Sequence, residues 1–213
     1  MSTHNKILQI YNSRKTVLEL LGSYNNHEVK DYEGFSINEV DAMYNTDQLD
    51  MLITKTNRDT SLGETKTYVK YFLRGNLTDA SLRPILEDLY QYSVTLNSKD
   101  CLFIVYDGEP TDSFLSHLDH LYKKENIFVV VHNIKRLQFN ILKHFLVPAI
   151  EILTDQEKTN LFQQYSITED AQMPEISRYD PQALAMCVRP GEVCKISRKS
   201  PTSLNTTYYR VCV

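Results

Sequence analysis

Two continuous apolar runs constrain the fold of this chain more than any other feature of its sequence. The runs are CLFIVY at residues 101–106 and IFVVVH at residues 127–132, and neither alternates between apolar and polar positions. Such runs are typical of strands that are buried on both faces of a parallel sheet. Residues 111–124 between them place apolar side chains at helical spacing. We therefore predict a β-α-β unit with two parallel strands.

Other patterns extend this unit into an α/β domain around a mixed sheet of about four strands. Residues 51–56 and 66–73 are rich in β-branched and aromatic residues and are joined by a turn-prone segment, which predicts an antiparallel pair. The helix signals of this region are an apolar period over residues 5–21 ended by Gly22, a capping box of Ser36 and Glu39, and a cap at Thr78 or Asp79.

The pattern changes near residue 143, where we place a boundary between two domains, residues 1–143 and 144–213. Thr154 and Glu157 form a further candidate capping box. Asp180 followed by Pro181 predicts a short helix, because the carboxylate accepts unpaired N–H groups and proline is tolerated at the first helical position. After the turn RPGE, residues 193–198 and 207–213 pair as a hairpin. We predict a small α+β carboxyl-terminal domain.

Composition and charge exclude several classes of function. The chain carries a net charge of −4, and residues 1–143 contain 16 basic against 19 acidic residues, so we expect weak DNA binding by the isolated protein. The scattered glycines form no phosphate-binding loop. We find no apolar run that could cross a membrane and no amino-terminal signal pattern, and we expect the protein inside a cell.

Metal and cofactor sites are also not predicted. The four cysteines contain no CxxC pair and are interpreted as buried, reduced thiols. His117 and His120 lie one helical turn apart, but no third metal ligand is placed by the sequence.

One pattern offers an enzymatic alternative. Asp50 opens one predicted strand, and Glu64 and Lys66 of the tripeptide ETK open the next, which is the residue order of the PD-(D/E)xK nucleases. In those enzymes two carboxylates hold a divalent metal and the lysine helps to activate water. The same three residues are also compatible with two solvated strand ends, because the pattern is short and degenerate.

The carboxyl-terminal motifs carry a more specific signal. HFLVP and MPEIS are followed by a D-P-x-A helix start, an R-x-G-E-V turn, a K-I-x-R-K-S strand and a terminal Y-R-x-C. In order and spacing they resemble the small subunit shared by eukaryotic nuclear RNA polymerases I, II and III, whose carboxyl-terminal domain corresponds to a small subunit of the archaeal RNA polymerase. The resemblance implies a non-catalytic subunit of a multisubunit DNA-directed RNA polymerase, with no cofactor, metal or small-molecule ligand.

The resemblance also implies partners for both domains. In the family the carboxyl-terminal domain packs on the largest polymerase subunit and supports assembly, and eukaryotic members add a restriction-endonuclease-like jaw beside downstream duplex DNA. On this view Asp50, Glu64 and Lys66 are non-catalytic scaffold, and the basic tail faces an acidic partner surface. The candidates for the largest-subunit interface are Asp180, Pro181, Arg189, Gly191, Lys195, Arg198, Lys199, Ser200, Tyr209 and Arg210. Strand alternation prevents them from all pointing the same way.

In the family a proline-bearing loop after a buried strand brings the jaw close to DNA. The matching segment is DGEPT, and the resemblance places Pro110, Thr111 and Ser113 near downstream DNA. The neighbouring acidic residues disfavour close contact, since carboxylates repel phosphates. These acidic residues are Asp107, Glu109 and Asp112.

Departures from the family pattern suggest a divergent polymerase, that of a large DNA virus or a distant protist. Ile150 replaces a histidine, and Cys187 and Leu204 stand where the family has glycine, with Asn205 available for a left-handed turn position. The expected location is the nucleus for a cellular protein, and the virion or a host cytoplasmic viral factory for a viral one. A free-standing adaptor that keeps the polymerase-binding tail is a third possibility.

Overall fold

The computed structural model describes residues 3–55, 65–200 and 202–213. The chain divides into two units, Met1–Phe139 and Asn140–Val213, so the division lies four residues before the predicted one. The 3₁₀ turn Ile141–Lys143 contacts the short helix Pro181–Ala185 of the second unit, which explains why these residues group with it. Glu64 and the predicted turn at residues 57–63 lie outside the described residues.

The first unit is built on a four-stranded mixed sheet in the order β1-β2-β3-β4. β1 pairs with β2 in antiparallel fashion, whereas β2, β3 and β4 are parallel. The predicted antiparallel pair, the β-α-β unit and the mixed α/β sheet are therefore confirmed. The strands are β1 Met51–Lys55, β2 Thr65–Phe72, β3 Cys101–Tyr106 and β4 Phe128–Asn133, and the helices are α1 Thr3–Glu19, α2 Ile37–Asn45, α3 Asp79–Glu87 and α4 Asp112–Glu125.

The two central strands are buried along their whole length, as their apolar runs predict. Leu102 and Ile104 of β3 join one core cluster with Leu82 of α3 and with Phe114 and Leu118 of α4. Because successive side chains of a strand point to opposite faces, β3 needs apolar neighbours on both sides of the sheet. Burial of this kind contributes roughly 1.5–3 kcal/mol for each large apolar side chain.

The end of the first helix differs from the prediction. α1 continues into a π-helical turn, Leu20–Tyr24, so Gly22 lies inside the turn and the prediction that it ends the helix was wrong. A Cβ atom on Gly22 would lie 2.9 Å from Cγ2 of Val29, so close packing requires the glycine. After this turn the chain adopts a left-handed conformation at Asn26, with φ of 56°.

The predicted caps are present. Ser36 and Glu39 exchange hydrogen bonds in a capping box at the start of α2, and Thr78, rather than Asp79, caps α3. In each box the side chains pair backbone N–H groups that the first helical turn leaves unsatisfied.

The second unit contains a smaller sheet in the order β5-β7-β8-β6. The hairpin of β7 and β8 is confirmed, and so is the capping box of Thr154 and Glu157. Two short outer strands, β5 and β6, were not predicted. The strands are β5 Ala149–Ile152, β6 Glu175–Ile176, β7 Val193–Arg198 and β8 Thr206–Cys212, and the helices are α5 Asp155–Tyr165 and α6 Pro181–Ala185.

Candidate functional site

The interface candidates of the second unit begin at the start of α6. The Asp180 carboxylate accepts a hydrogen bond from the backbone N–H of Gln182 at 2.9 Å, and Pro181 occupies the first helical turn. The Gln182 side chain donates to the carbonyl of Pro148 at 3.0 Å, which ties the helix to the segment before β5. Asp180 is half-buried in this cap, whereas Pro181 is exposed to solvent.

α6 ends in a Schellman motif that contains a cysteine. The N–H of Cys187 donates to Leu184 O and the N–H of Val188 donates to Ala183 O, at 3.1 and 3.0 Å. Cys187 has a φ of 51°, in the left-handed region where glycine is the usual residue. Cys187 thus occupies a left-handed turn position, where the family resemblance expects a glycine.

The RPGE turn is held by three sets of hydrogen bonds. The backbone N–H of Arg189 donates to Oε2 of Glu192 at 2.7 Å. Gly191, with φ of 88°, donates its N–H to Cys212 O at 2.9 Å. Lys158 of α5 donates to the carbonyl of Gly191 at 2.9 Å and pairs with Asp170 at 2.9 Å. The turn that carries Arg189 and Gly191 is thus fixed on both sides.

The hairpin sorts the remaining candidates onto opposite faces. Lys195 lies opposite Tyr209, and Cys194 lies opposite Arg210. Cross-strand partners share a face and the faces alternate along a strand, so Lys195 and Tyr209 lie on one face and Arg198 and Arg210 on the other. The structure therefore brings these candidates together in two groups.

Several of these side chains have structural partners inside the unit. Tyr209 packs against the core cluster of the unit, and Lys195 pairs with Glu151 at 3.6 Å. Arg210 donates to the carbonyl of Glu175 at 2.8 Å and lies 5.9 Å from the ring centroid of Tyr208. Arg210 thus links β8 to β6.

Arg198 and Lys199 differ from these residues. Both are exposed, and within the described part of the chain neither makes an ion pair. Ser200 follows them in the hairpin loop, where its N–H donates to Ser203 O at 3.1 Å. Arg198 and Lys199 are therefore the most accessible cations of the hairpin. Asn205 is not among the described residues with positive φ, so its predicted left-handed role was wrong.

The DNA-proximal candidates of the first unit lie at the carboxyl end of β3. Thr111 caps α4, and its Oγ1 lies 3.1 Å from Oγ of Ser113. Thr111 and Ser113 are exposed, and Pro110 is half-buried before them. A Cβ atom on Gly108 would lie 2.6 Å from the Tyr106 ring, so this loop rests directly on that ring.

Sequence reasoning missed the residues that hold this loop. Asn133 at the end of β4 donates from Nδ2 to Oε1 of Glu109 at 2.9 Å, and Arg136 donates to Oε2 of the same carboxylate at 3.2 Å. The backbone N–H of Lys135 donates to Oδ1 of Asn133 at 2.8 Å. The predicted parallel pairing of β3 and β4 could have indicated these contacts, because the carboxyl ends of adjacent parallel strands lie at the same edge of the sheet.

The enzymatic alternative required Asp50 and Lys66 to lie side by side. Asp50 instead accepts hydrogen bonds from Lys70 Nζ at 2.5 Å, from the Tyr68 hydroxyl at 3.1 Å and from the N–H of Tyr71 at 3.0 Å. An antiparallel hairpin places the start of one strand beside the end of the next. Lys66 pairs with Thr54 in the register and lies ~13 Å along β2 from Lys70. The nuclease arrangement of Asp50 and Lys66 is therefore not formed.

The other candidate ligands and thiols are not gathered into a reactive site. Across residues 3–55, 65–200 and 202–213, no group of three or more His, Cys, Asp or Glu side chains is placed to hold a metal ion. Nδ1 of His117 lies 3.8 Å from the Asp79 carboxylate. The four cysteines, all of them described, form no disulfide, and burial raises the pKa of Cys194 and of Cys212 to about 12. A thiol with a raised pKa is a poor nucleophile at neutral pH.

None of the helices that the structure describes is both long enough and apolar enough to cross a membrane.

The second unit is similar in sequence to a known protein family. Residues 139–212 match the family model described as RNA polymerase Rpb5, C-terminal domain. Over 76 residues the chain is 47% identical to the DNA-directed RNA polymerase subunit Rpo5 of Pyrococcus abyssi. The matched residues are 36% of this chain and 92% of the relative. It is 43% identical over 76 residues to Rpo5 of Thermococcus kodakarensis, with the same coverage of both chains.

A more distant relative, Rpo5 of Archaeoglobus fulgidus, is 35% identical over 77 residues, which are 36% of this chain and all of that protein. The Rpo5 sequences are thus matched over nearly their whole length by a segment that corresponds to one unit of this fold. The chain belongs to the Rpb5/Rpo5 family of RNA polymerase subunits.

Proposed function

We propose that this protein is a non-catalytic subunit of a multisubunit DNA-directed RNA polymerase. Its second unit packs on the largest polymerase subunit and supports assembly. Its first unit forms the lower jaw, beside the downstream duplex DNA that enters the cleft. The chemistry of RNA synthesis then belongs to the large subunits.

One observation carries this proposal. The segment that is 47% identical to an archaeal Rpo5 subunit spans 92% of that subunit. A segment that is similar to nearly an entire subunit, and that folds as a unit of its own, is expected to keep the subunit's surface and its binding partner. The exposed cations Arg198 and Lys199 are available for an acidic surface on that partner.

The jaw proposal is supported by the architecture of the first unit. Its mixed sheet has an antiparallel first pair followed by parallel strands, with helices between them, which is compatible with a restriction-endonuclease-like fold. Fold alone does not assign chemistry. The partners of Asp50 make it a structural residue, so no observation favours a nuclease.

Location follows from the polymerase that the protein serves. We expect the nucleus if that polymerase is cellular, and the virion or a host cytoplasmic viral factory if it is viral. If the protein is instead a free-standing adaptor, it would bind the polymerase without being one of its stoichiometric subunits.

Affinity recovery of the full chain from its native source tests the proposal. The protein carries an amino-terminal tag, and the co-purifying chains are identified by mass and assayed for RNA synthesis. We expect recovery of two large polymerase subunits in equal amounts with the tagged chain, and RNA synthesis by the recovered complex.

Two control measurements make the result specific. A chain that lacks residues from 178 onward should lose the large subunits, and magnesium-dependent DNA cleavage by the isolated chain should be absent. Recovery of substoichiometric polymerase would support the adaptor instead. Recovery of the chain alone would refute the proposal.

A further inference from the structure

β5 lies at an edge of the smaller sheet, because β7 is its neighbour on one side only. The N–H of Leu153, the residue after β5, donates to Val193 O at 2.9 Å, so the backbone groups of Leu153 point towards β7. Along an antiparallel strand these groups point alternately to the two sides. Glu151 therefore also faces β7, whereas the N–H and C=O groups of Ile150 and Ile152 point away from the sheet.

These outward N–H and C=O groups of Ile150 and Ile152 form what we call the open edge of β5. No residue that the structure describes makes a hydrogen bond to them. The open edge is bounded at both ends, because Pro148 O accepts from Nε2 of Gln182 at 3.0 Å and the N–H of Thr154 donates to Glu157 at 2.8 Å. A row of unpaired backbone groups of this kind is a template for another strand.

Two exposed apolar side chains precede the open edge. Phe145 is 87% exposed and Leu146 is 72% exposed. His144 orders this segment, since its Nδ1 accepts from the N–H of Leu146 at 3.3 Å and its ring stacks on Phe145 with centroids 5.1 Å apart. Large apolar side chains that a fold holds in water are typical of protein-binding surfaces.

The charge of β5 disfavours a second copy of this chain as the added strand. The side chain of Glu151, between the two residues of the open edge, is 70% exposed although it lies 3.6 Å from Lys195. Two antiparallel copies joined through the open edge would place Glu151 opposite its counterpart, and like charges in that position are destabilising. The edge instead fits a segment with a basic or polar residue opposite Glu151 and apolar residues opposite Ile150 and Ile152.

We propose that an extended segment of the largest polymerase subunit adds to the open edge of β5 as a further strand of the smaller sheet. This inference rests on the proposed function and names the mode of contact. Gln182 links α6, whose start carries the interface candidates Asp180 and Pro181, to the residue before β5, so the open edge continues the proposed interface. In such an addition the backbone bonds supply affinity, and side chains beside the strand supply specificity.

The first test uses the full chain with an amino-terminal tag, assembled with the large polymerase subunits. Recovery of these subunits with the unaltered chain is measured first, and its absence would refute the proposed function and this inference with it. When recovery is intact, the variants below test the inference alone.

Ile152→Pro removes one outward N–H, whereas Ile152→Ala shortens the side chain and keeps that N–H. Since the N–H of Ile152 does not bond to β7, proline at this edge position leaves the ladder with β7 in place. We expect recovery of the largest subunit to fall about tenfold with Ile152→Pro and to change less than about twofold with Ile152→Ala. Urea denaturation checks that both variants fold. Equal recovery with two folded variants would overturn the inference.

Hydrogen exchange of the unaltered chain gives a second measurement that does not depend on a variant. In the isolated chain the amides of Ile150 and Ile152 should exchange faster than those of Glu151 and Leu153, which face β7. In the assembled polymerase we expect the amides of Ile150 and Ile152 to become protected, with those of Glu151 and Leu153 protected in both states. Unchanged exchange at Ile150 and Ile152 on assembly would overturn the inference.

Discussion

The ammonium of Lys70 donates a hydrogen bond to the carboxylate of Asp50 at 2.5 Å, across the antiparallel pair of β1 and β2. Asp50 also accepts from the Tyr68 hydroxyl and from the backbone N–H of Tyr71. A carboxylate that holds two side chains of a neighbouring strand and its backbone has a structural role. Its side chain is 20% exposed, which leaves these bonds partly shielded from water.

We expect Asp50→Ala to lower the free energy of unfolding by about 1–3 kcal/mol, because it leaves the N–H of Tyr71 and the charge of Lys70 without this partner. The matched change Lys66→Ala on the same strand should cost less than about 0.5 kcal/mol. Urea denaturation of both variants measures the difference. Magnesium-dependent cleavage of duplex DNA by the purified chain, lost in Asp50→Ala, would contradict the structural role.

The basic residues of the hairpin are expected to separate into two kinds. Arg198→Ala with Lys199→Ala should leave the free energy of unfolding within about 0.5 kcal/mol of the unaltered chain, because both side chains are exposed. The same change should weaken association with the largest polymerase subunit by roughly tenfold, or ~1.4 kcal/mol. Arg210→Ala should instead lower the free energy of unfolding by about 1 kcal/mol, since it loses the bond to Glu175 O.

Two measurements on the Arg198 and Lys199 double variant and on Arg210→Ala distinguish the interface role from the structural role. Urea denaturation gives the stability of each variant, and quantitative recovery of the largest polymerase subunit gives its association. A loss of stability in the Arg198 and Lys199 variant would show that these residues support the fold. Unchanged recovery would remove them from the interface.

Replacement of Cys187 by glycine should stabilise the protein. Cys187 has a φ of 51° after α6, a conformation that disfavours any residue with a Cβ atom. We expect Cys187→Gly to raise the free energy of unfolding by about 0.5–1 kcal/mol. Gln163→Gly, at an exposed position within α5, is the control and should lower it. A lower denaturation midpoint for Cys187→Gly would mean that the cysteine side chain stabilises the fold by more than its left-handed backbone conformation destabilises it.

His27 predicts a specific dependence of stability on pH. Its Nδ1 lies 3.1 Å from Leu21 O, so this nitrogen donates, and Nε2 accepts from the Thr67 hydroxyl at 2.7 Å. Burial, with a smaller contribution from the charge of Lys55, lowers the pKa of His27 to about 4. Between pH 6.5 and pH 4 the unfolded chain therefore binds a proton that the folded chain does not, and stability falls as the pH falls.

The loss reaches about 3 kcal/mol at the lower end of this range and is absent above pH 6.5. Unfolding free energies of the unaltered chain, His27→Gln and His120→Gln between pH 4 and 7 measure it. His27→Gln should remove this part of the slope, whereas His120→Gln, a change at an exposed position that leaves His27 in place, should retain it. Identical slopes in all three proteins would refute the assignment.

Local features of the fold were predictable from sequence. The apolar runs predicted the buried parallel strands β3 and β4, and the capping boxes at Ser36 and Thr154 predicted where α2 and α5 begin. The motifs around Asp180 and RPGE likewise identified the family from sequence alone. The outer strands β5 and β6 escaped prediction because four and two residues are too few to show alternation.

The roles of the charged residues were decided by the tertiary structure. Capping boxes and apolar periods depend on residues a few positions apart, so the sequence by itself determined the helix starts, the central strands and the family. The partners of Asp50 and Glu109 lie 20 and 27 residues away, where only strand direction and register bring them into contact. Antiparallel pairing placed Asp50 against Lys70 instead of Lys66, and parallel pairing placed Arg136 beside an acidic loop. Charges interact through the distances that a sheet creates, and those distances do not follow separation along the chain.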